Sequence, residues 1–180
     1  MGQVSGHGDA RPAGPKPLVF PVLIVPPSRP VEAVIVSHSW MGVVCHWWKA
    51  PGEPEPRTRL CTAPDQCPCL SEADVPVTWH CYLLVVTLNN LRPGVLCLTD
   101  NGLSSLVSLC PEEVSFRGQV IVFKRSSAHK SSKVVAERSP KDWKRPLMER
   151  LSIRPTLEVI HGKKPVELWA KSHPEEDFLP

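Results

Sequence analysis

Short runs of apolar and β-branched residues alternate with polar turns through the middle of the chain, a pattern typical of strands. Residues 77–88 (VTWHCYLLVVTL) form the strongest run, and residues 31–36 (VEAVIV) form another, with a shorter one at 95–99. Residues 118–125 and 133–137 flank a polar link and predict a hairpin. The pattern therefore predicts a mainly β domain.

One helix interrupts the predicted strands. Leu103, Leu106 and Leu109 are spaced by three residues, which favours one or two helical turns. Strands followed by one short helix and a final hairpin suit a small antiparallel barrel of the oligonucleotide-binding (OB) type. An SH3-like barrel or a simple antiparallel sheet would give the same order of elements.

Proline divides the chain into three parts, because its 21 residues among 180 concentrate towards both ends and in one internal loop. We expect residues 1–30 to be a disordered or extended arm, and residues 31–138 to be the OB-like β domain. This domain carries an inserted metal loop at residues 45–69. Residues 139–180 are expected to form an extended tail, first basic and then acidic.

The net charge of +3 conceals a strongly basic block. Residues 117–154 contain eleven lysines and arginines and three acidic residues, a net charge of +8, so the rest of the chain carries −5. Such an asymmetry favours a polyanionic partner.

Cysteine usage favours a reducing compartment. There are seven cysteines, and a secreted disulfide framework more often uses an even number. The apolar run at residues 17–25 is too short to cross a bilayer, which needs about 20 apolar residues. We therefore expect a cytoplasmic protein without a membrane partner.

Three thiols lie within nine residues, at Cys61, Cys67 and Cys69. Zinc in a structural site takes four tetrahedral ligands, preferably thiolate and imidazole. Either Cys45 or His46, about fifteen residues upstream, would complete the set. The alternative is that the thiols are free or oxidised in a loop. A catalytic ion is not favoured, because the chain lacks a Cys-x-x-Cys paired with His-x-Glu.

The order of these motifs carries a resemblance. A His-Trp pair (His46, Trp47), the cysteine cluster and then a strand with Trp79 and Tyr82 resemble zinc-loop proteins of bacteria and phages. The same order is similar to the zinc-containing single-stranded DNA-binding proteins of T-even phages, whose site combines one histidine and three cysteines in an OB barrel. The similarity covers about residues 31–137.

The resemblance implies a ligand set and a role for the ion. The ligands would be His46, Cys61, Cys67 and Cys69. The zinc would stabilise the fold and would take no part in chemistry.

Aromatic and basic residues supply the two components of a single-strand binder, a stacking platform and a positive groove. The candidate platform residues are Trp47, Trp48 and Tyr82. The candidate phosphate contacts are Arg117, Lys124, Arg125, Lys130 and Lys133. Nothing in the pattern reads bases, so we expect sequence-tolerant, salt-sensitive binding of single-stranded DNA or RNA.

Two other classes of function compete with this interpretation. The first is a protein-interaction or assembly module of a bacterial mobile element, which would use the proline-rich termini and the C-terminal tail to contact a protein. The second is an enzyme. No phosphate loop, nucleophile elbow or His-Glu metal motif occurs in the chain, although a Cys45–His80 nucleophile pair remains open. We therefore predict a non-catalytic protein.

Overall fold

The computed structural model describes residues 18–38, 40–49, 52–55, 57–61, 77–109, 115–148 and 151–162, without the side chains of residues 48, 57 and 59. Within these ranges the strands are β1 (Val22–Ile24), β2 (Val31–Ile35), β3 (Met41–Trp48), β4 (Arg57–Leu60), β5 (Val77–Thr87), β6 (Pro93–Thr99), β7 (Val120–Arg125) and β8 (Val134–Arg138). The helices are α1 (Asp100–Val107) and α2 (Arg154–His161).

All eight described strands join one sheet, so the prediction of a mainly β fold is confirmed. The main path of the sheet is β1-β6-β5-β2-β7-β8, with β3 and β4 attached beside it through β5. β1 pairs with β6 in parallel, and the other described pairs are antiparallel. The run 77–88, the strongest strand signal in the sequence, forms the central strand β5.

β2 and β3 share one edge of β5, where they follow each other along the chain. Ala33 pairs with Thr87 near one end of β5, and Met41 pairs with Tyr82 further along it. The chain advances eight residues from Ala33 to Met41, whereas β5 advances only five between their partners. The three extra residues between β2 and β3 interrupt their pairing with β5, as a β-bulge does.

Both faces of the sheet are buried, each beneath a different helix. On the first face, Leu103 and Leu106 of α1 pack into a core with Leu83, Ile121 and Phe123. This is the helix that the leucine spacing predicted. We call this side the α1 face.

The opposite side is covered by α2 and the chain that precedes it. Leu157 of α2 is fully buried against residues such as Tyr82 and Leu84. Trp143 and Leu147, from the segment before the helix, pack against the same core. We call this side the α2 face.

Three features of the described structure differ from the sequence-based expectation. The described strands form an open sheet, in which β1 and β8 end the main path, so a closed OB-like barrel is not confirmed. Two helices are present where one was predicted, because each sheet face is closed by a helix rather than by a second layer of strands. The predicted metal loop at 45–69 also contains the end of β3 and the whole of β4, paired as a hairpin.

None of the helices in the described part of the chain has the length and apolar character needed to cross a membrane.

Candidate functional site

The β3–β4 hairpin positions His46 inside the protein. His46 pairs with Arg59 on β4 and with Val77 on β5, so its backbone is held between two strands. Alternation along β3 places His46 on the α1 face with Gly42, which lies against the Trp79 indole. The His46 side chain has no exposed surface.

The buried imidazole of His46 has no hydrogen-bond partner among the described residues. Both Nδ1 and Nε2 lack one. A buried polar group left in this state costs about 1–3 kcal/mol, so such groups are uncommon in native structures. A metal ion would satisfy one of the two nitrogens, and imidazole is a common zinc ligand. The residue therefore fits the predicted role.

Cys61 lies on the same side of the hairpin as His46. Its backbone N–H donates to the Val44 carbonyl over 2.8 Å, which continues the β3–β4 ladder by one residue. Cys61 thus stands opposite Val44 and diagonal to His46, a relationship in which residues are roughly 7–8 Å apart. Cys61 is buried. An imidazole and a thiol are therefore brought to one location.

Cys45 points the other way and belongs to the core of the α2 face. It packs there with Val43 and Tyr82. Burial raises the pKa of the Cys45 thiol to about 12, and the nearby thiols of Cys97 and Cys61 add to the effect. Of the two alternatives left open by the sequence, His46 is the one that shares a side with Cys61.

The remaining predicted ligands, Cys67 and Cys69, lie outside the described residues. Within the described residues, no group of three or more histidines, cysteines or acidic side chains is arranged to hold a metal ion. The described structure therefore contains two of the four predicted ligands.

Trp47 is an exposed aromatic side chain on β3. It follows the buried His46 directly, so the alternation of the strand turns it towards the α2 face, where 53% of its surface is exposed. The backbone of Trp48 ends β3, and its side chain lies outside the described set.

Tyr82 occupies the interior rather than the surface. Only 2% of its surface is exposed, and its hydroxyl lies 2.7 Å from Nε2 of His161 on α2. The ring is therefore covered, and a base could not stack on it without displacement of α2.

Two of the predicted phosphate contacts hold the fold together. The Arg117 guanidinium donates to the carbonyls of Val36 and Met148, the latter over 2.8 Å. The Arg125 guanidinium donates to the carbonyls of Val25 and Ser132, each over 2.7 Å. Each side chain fastens separate segments of the chain, which limits its freedom to reach a ligand.

The other three predicted contacts are more accessible. Lys124 forms an ion pair of 2.6 Å with Glu137, and about half of each side chain is exposed. Lys130 and Lys133 are exposed on the link between β7 and β8. These lysines form a basic patch at the tip of the hairpin.

Trp47 and this hairpin tip are at opposite ends of the sheet. Trp47 lies beside the start of β5, since the preceding residue pairs with Val77. Lys124 lies beyond the end of β5, because β7 pairs with β2, which pairs with the last residues of β5. The eleven residues of β5 extend about 35 Å. The two predicted components therefore do not form one compact groove.

The α2 face carries further exposed basic residues. Trp47 and Lys124 both belong to the α2 face, since their alternate neighbours Cys45 and Val120 pack into its core. Lys144 and Arg145 are exposed in the segment that covers this face. Exposed basic residues on this face therefore include the covering segment as well as the hairpin tip.

A second group of polar side chains, which sequence analysis did not identify, lies on the α2 face. Sγ of Cys97 is 3.8 Å from Nδ1 of His80, and Tyr82 pairs across the strands with Cys97. His161 joins the group from α2. Burial raises the pKa of Cys97 to about 11, although its hydrogen bond with Tyr82 opposes this shift. The sequence did indicate that His80 and Tyr82 lie on the same side of one strand, because they are two residues apart. It could not place His161 beside them, because α2 was not predicted.

The sequence left open a nucleophile pair of Cys45 and His80, and in the structure it is Cys97 whose sulfur lies close to His80, while burial raises the pKa of Cys45 to about 12. The His80 imidazole lies next to Cys97, and burial lowers its pKa. A thiol whose pKa is about 11 is almost entirely protonated at neutral pH, and the protonated thiol is a weak nucleophile. Burial therefore works against activation of Cys97 by His80.

Comparison of the chain with family models, with curated proteins and with solved structures found no match.

Proposed function

We propose that this chain is a non-catalytic, sequence-tolerant single-stranded nucleic-acid-binding protein with a structural zinc. The observation that carries the proposal is the exposed indole of Trp47 on β3. The residue before it on this strand, His46, is buried. Exposed aromatic side chains on rigid strands are the platforms on which unpaired bases stack.

Positive charge along the α2 face supports the same proposal. Lys144 and Arg145 on the covering segment and Lys130 on the hairpin tip are exposed. Contacts between such residues and phosphates release counterions, so the affinity should fall as salt concentration rises. The sequence has no base-reading pattern, so the proposal covers both single-stranded DNA and single-stranded RNA.

The zinc would act as a scaffold for the platform. His46 and Cys61 would supply two ligands, and Cys67 and Cys69, which lie outside the described residues, would supply the others. The two nitrogens of His46, which have no hydrogen-bond partner among the described residues, support this assignment. An ion bound there would join β3 to the segment after β4, and would fix the strand that presents Trp47.

The four described cysteines, at positions 45, 61, 81 and 97, form no disulfide bonds. Free thiols are typical of a reducing compartment, and we propose that the protein is cytoplasmic.

Quenching of tryptophan fluorescence by a single-stranded oligonucleotide tests the proposal directly. The full chain should show quenching at low salt that is lost as salt is raised, and the Trp47→Phe variant should show much less. Bound zinc is measured on the same preparation by elemental analysis. A folded, zinc-loaded protein that shows no quenching at low salt would exclude nucleic-acid binding and leave the zinc assignment standing.

A second candidate, the protein-interaction module, is favoured by exposed apolar residues around the edge strand β1. Val22 and Ile24 of this strand and the neighbouring Leu18 are exposed. Edge strands with apolar surroundings are common places for another chain to pair. Capture of a protein partner that resists raised salt, with no oligonucleotide binding, would select this function instead.

A further inference from the structure

Contacts at its two ends hold α2 on the sheet. In the first turn, the Thr156 hydroxyl accepts a hydrogen bond of 2.9 Å from the backbone N–H of Phe20. At the last residue of the helix, Nε2 of His161 lies 2.7 Å from the Tyr82 hydroxyl. Val159, which lies between them, exposes 70% of its surface. The C-terminal half of α2 therefore depends mainly on the His161 contact.

We propose that the hydrogen bond between Tyr82 and His161 is an acid-sensitive latch, which holds the end of α2 on the sheet while His161 is neutral and releases it on protonation. A neutral imidazole either accepts the hydroxyl hydrogen at Nε2 or donates its own hydrogen to the hydroxyl oxygen, depending on the tautomer, and neither arrangement places a charge at the contact. A protonated imidazole carries hydrogen on both nitrogens and can only donate, so in the docked position its charge would face the neutral Tyr82 hydroxyl in a partly buried place instead of water.

The groups that face His161 from the sheet disfavour a positive charge. Tyr82 offers no negative charge, because burial, and then the neighbouring Cys97 thiol, raise the pKa of its hydroxyl far above the usual range. Cys97 on β6 is itself neutral at physiological pH, since burial raises its pKa to about 11. His80 on β5 can only add a positive charge. Burial, and then His80, lower the pKa of His161.

The groups on α2 itself do not compensate for this. Glu158, one turn before His161, pairs with Arg154 over 3.1 Å. The helix dipole favours a cation at the C-terminus, where His161 lies. Burial outweighs that attraction, because the net direction of the pKa shift is downward.

The direction of the pH dependence follows from the lowered pKa. Above the ordinary histidine pKa, which is near 6.5, His161 is neutral whether α2 is docked or free, and docking has its full stability. As the pH falls below that value, the free helix binds a proton that the docked helix resists. Docking therefore weakens as the pH falls towards the lowered pKa of the docked residue, and the loss levels off below it.

Amide hydrogen exchange of the full chain tests the latch. After correction for the intrinsic pH dependence of exchange, amides of α2 should lose protection severalfold between about pH 7.5 and about pH 5, while those of β5 keep theirs. An NMR titration of the same protein should give His161 a midpoint below the ordinary value, and α2 resonances should shift with that midpoint.

Variants separate His161 from other titrating groups. His161→Gln can still bond to Tyr82 but does not titrate, so its α2 should show no pH-dependent loss. His129→Gln, which changes an exposed histidine on the hairpin tip, should behave as the wild type. Unchanged α2 protection in the wild-type protein would overturn the proposal, as would a loss that persists in His161→Gln or disappears only in His80→Gln. If glutamine fails to hold the helix at neutral pH, the wild-type titration decides alone.

Discussion

His46 and Trp47 are consecutive on β3 and face opposite sides of the sheet: the imidazole is fully buried without a hydrogen-bond partner among the described residues, and the indole is half exposed. The alternation of a β-strand produces this opposition. Because the two residues are adjacent, a ligand that bonds to the His46 imidazole also restrains the backbone that carries Trp47. The two components of the proposed function, a structural ion and a stacking platform, therefore meet at one point of the backbone.

Neighbouring substitutions distinguish the imidazole ligand from the core thiol. His46→Ala should release the proposed zinc, or weaken its binding by more than tenfold, because a structural site needs all four ligands. Cys45→Ala should retain zinc, because this thiol packs into the α2 face, and should only lose stability through the cavity that it leaves. Elemental analysis after dialysis measures both. Zinc lost from Cys45→Ala and kept by His46→Ala would reverse the assignment.

Removal of the indole at position 47 should weaken oligonucleotide binding. Base stacking on an aromatic side chain contributes about 1–3 kcal/mol, so Trp47→Ala should raise Kd by roughly fivefold to a hundredfold or more. Val107→Ala is the matched control, since it removes an exposed apolar side chain from α1 on the opposite face of the sheet. Equal affinities for the two variants would exclude Trp47 as the platform.

The separation of Trp47 from the basic hairpin tip predicts a dependence on oligonucleotide length. A strand at the stacked spacing of 3.4 Å needs about ten nucleotides to cover the roughly 35 Å of β5 that lies between them. Affinity, measured by fluorescence titration at low salt, should therefore rise steeply up to that length and level off beyond it. Saturation at about four nucleotides would show that only one end of the sheet binds.

Arg125 is expected to matter for stability more than for binding. Arg125→Gln removes charged hydrogen bonds to the carbonyls of Val25 and Ser132, and should lower the free energy of unfolding by about 1–3 kcal/mol. Lys133→Gln also removes one positive charge close by, but from an exposed side chain, and should leave stability nearly unchanged. Urea unfolding compares them. A large loss of affinity in a fully stable Arg125→Gln would instead assign this residue to the ligand.

Elements with strong local patterns were predictable from the sequence. The β-branched run at 77–88 became β5, and the Leu103–Leu106 spacing became α1. α2 was not predicted, because it is only eight residues long and its burial depends on Thr156 and Leu157 meeting a distant sheet face. β4 was missed for a similar reason, since its four residues are mostly polar and pair with β3 rather than forming an apolar run.

The predicted site was less accessible to sequence reasoning than the fold. Spacing left Cys45 and His46 open beside Cys61, and the resemblance implied His46. The strand register was needed to show that His46 shares a side with Cys61. The fate of Tyr82 depended on α2, which covers it. Arg117 and Arg125 belong to the basic block, yet their backbone contacts arise from tertiary structure and leave no trace in a charge pattern.

Among the described strands, β4 pairs only with β3, and β3 joins the remaining sheet only through β5. Because of this branched connection, the outer part of the β3–β4 hairpin can unfold locally. Its separation from β5 leaves the six-strand path intact. If the proposed zinc is removed by chelation, the product should consequently be a partly folded protein with a loosened β3–β4 hairpin, rather than an unfolded chain. Loss of the proposed ion would thus loosen the strand that carries Trp47 while the six-strand path keeps its structure.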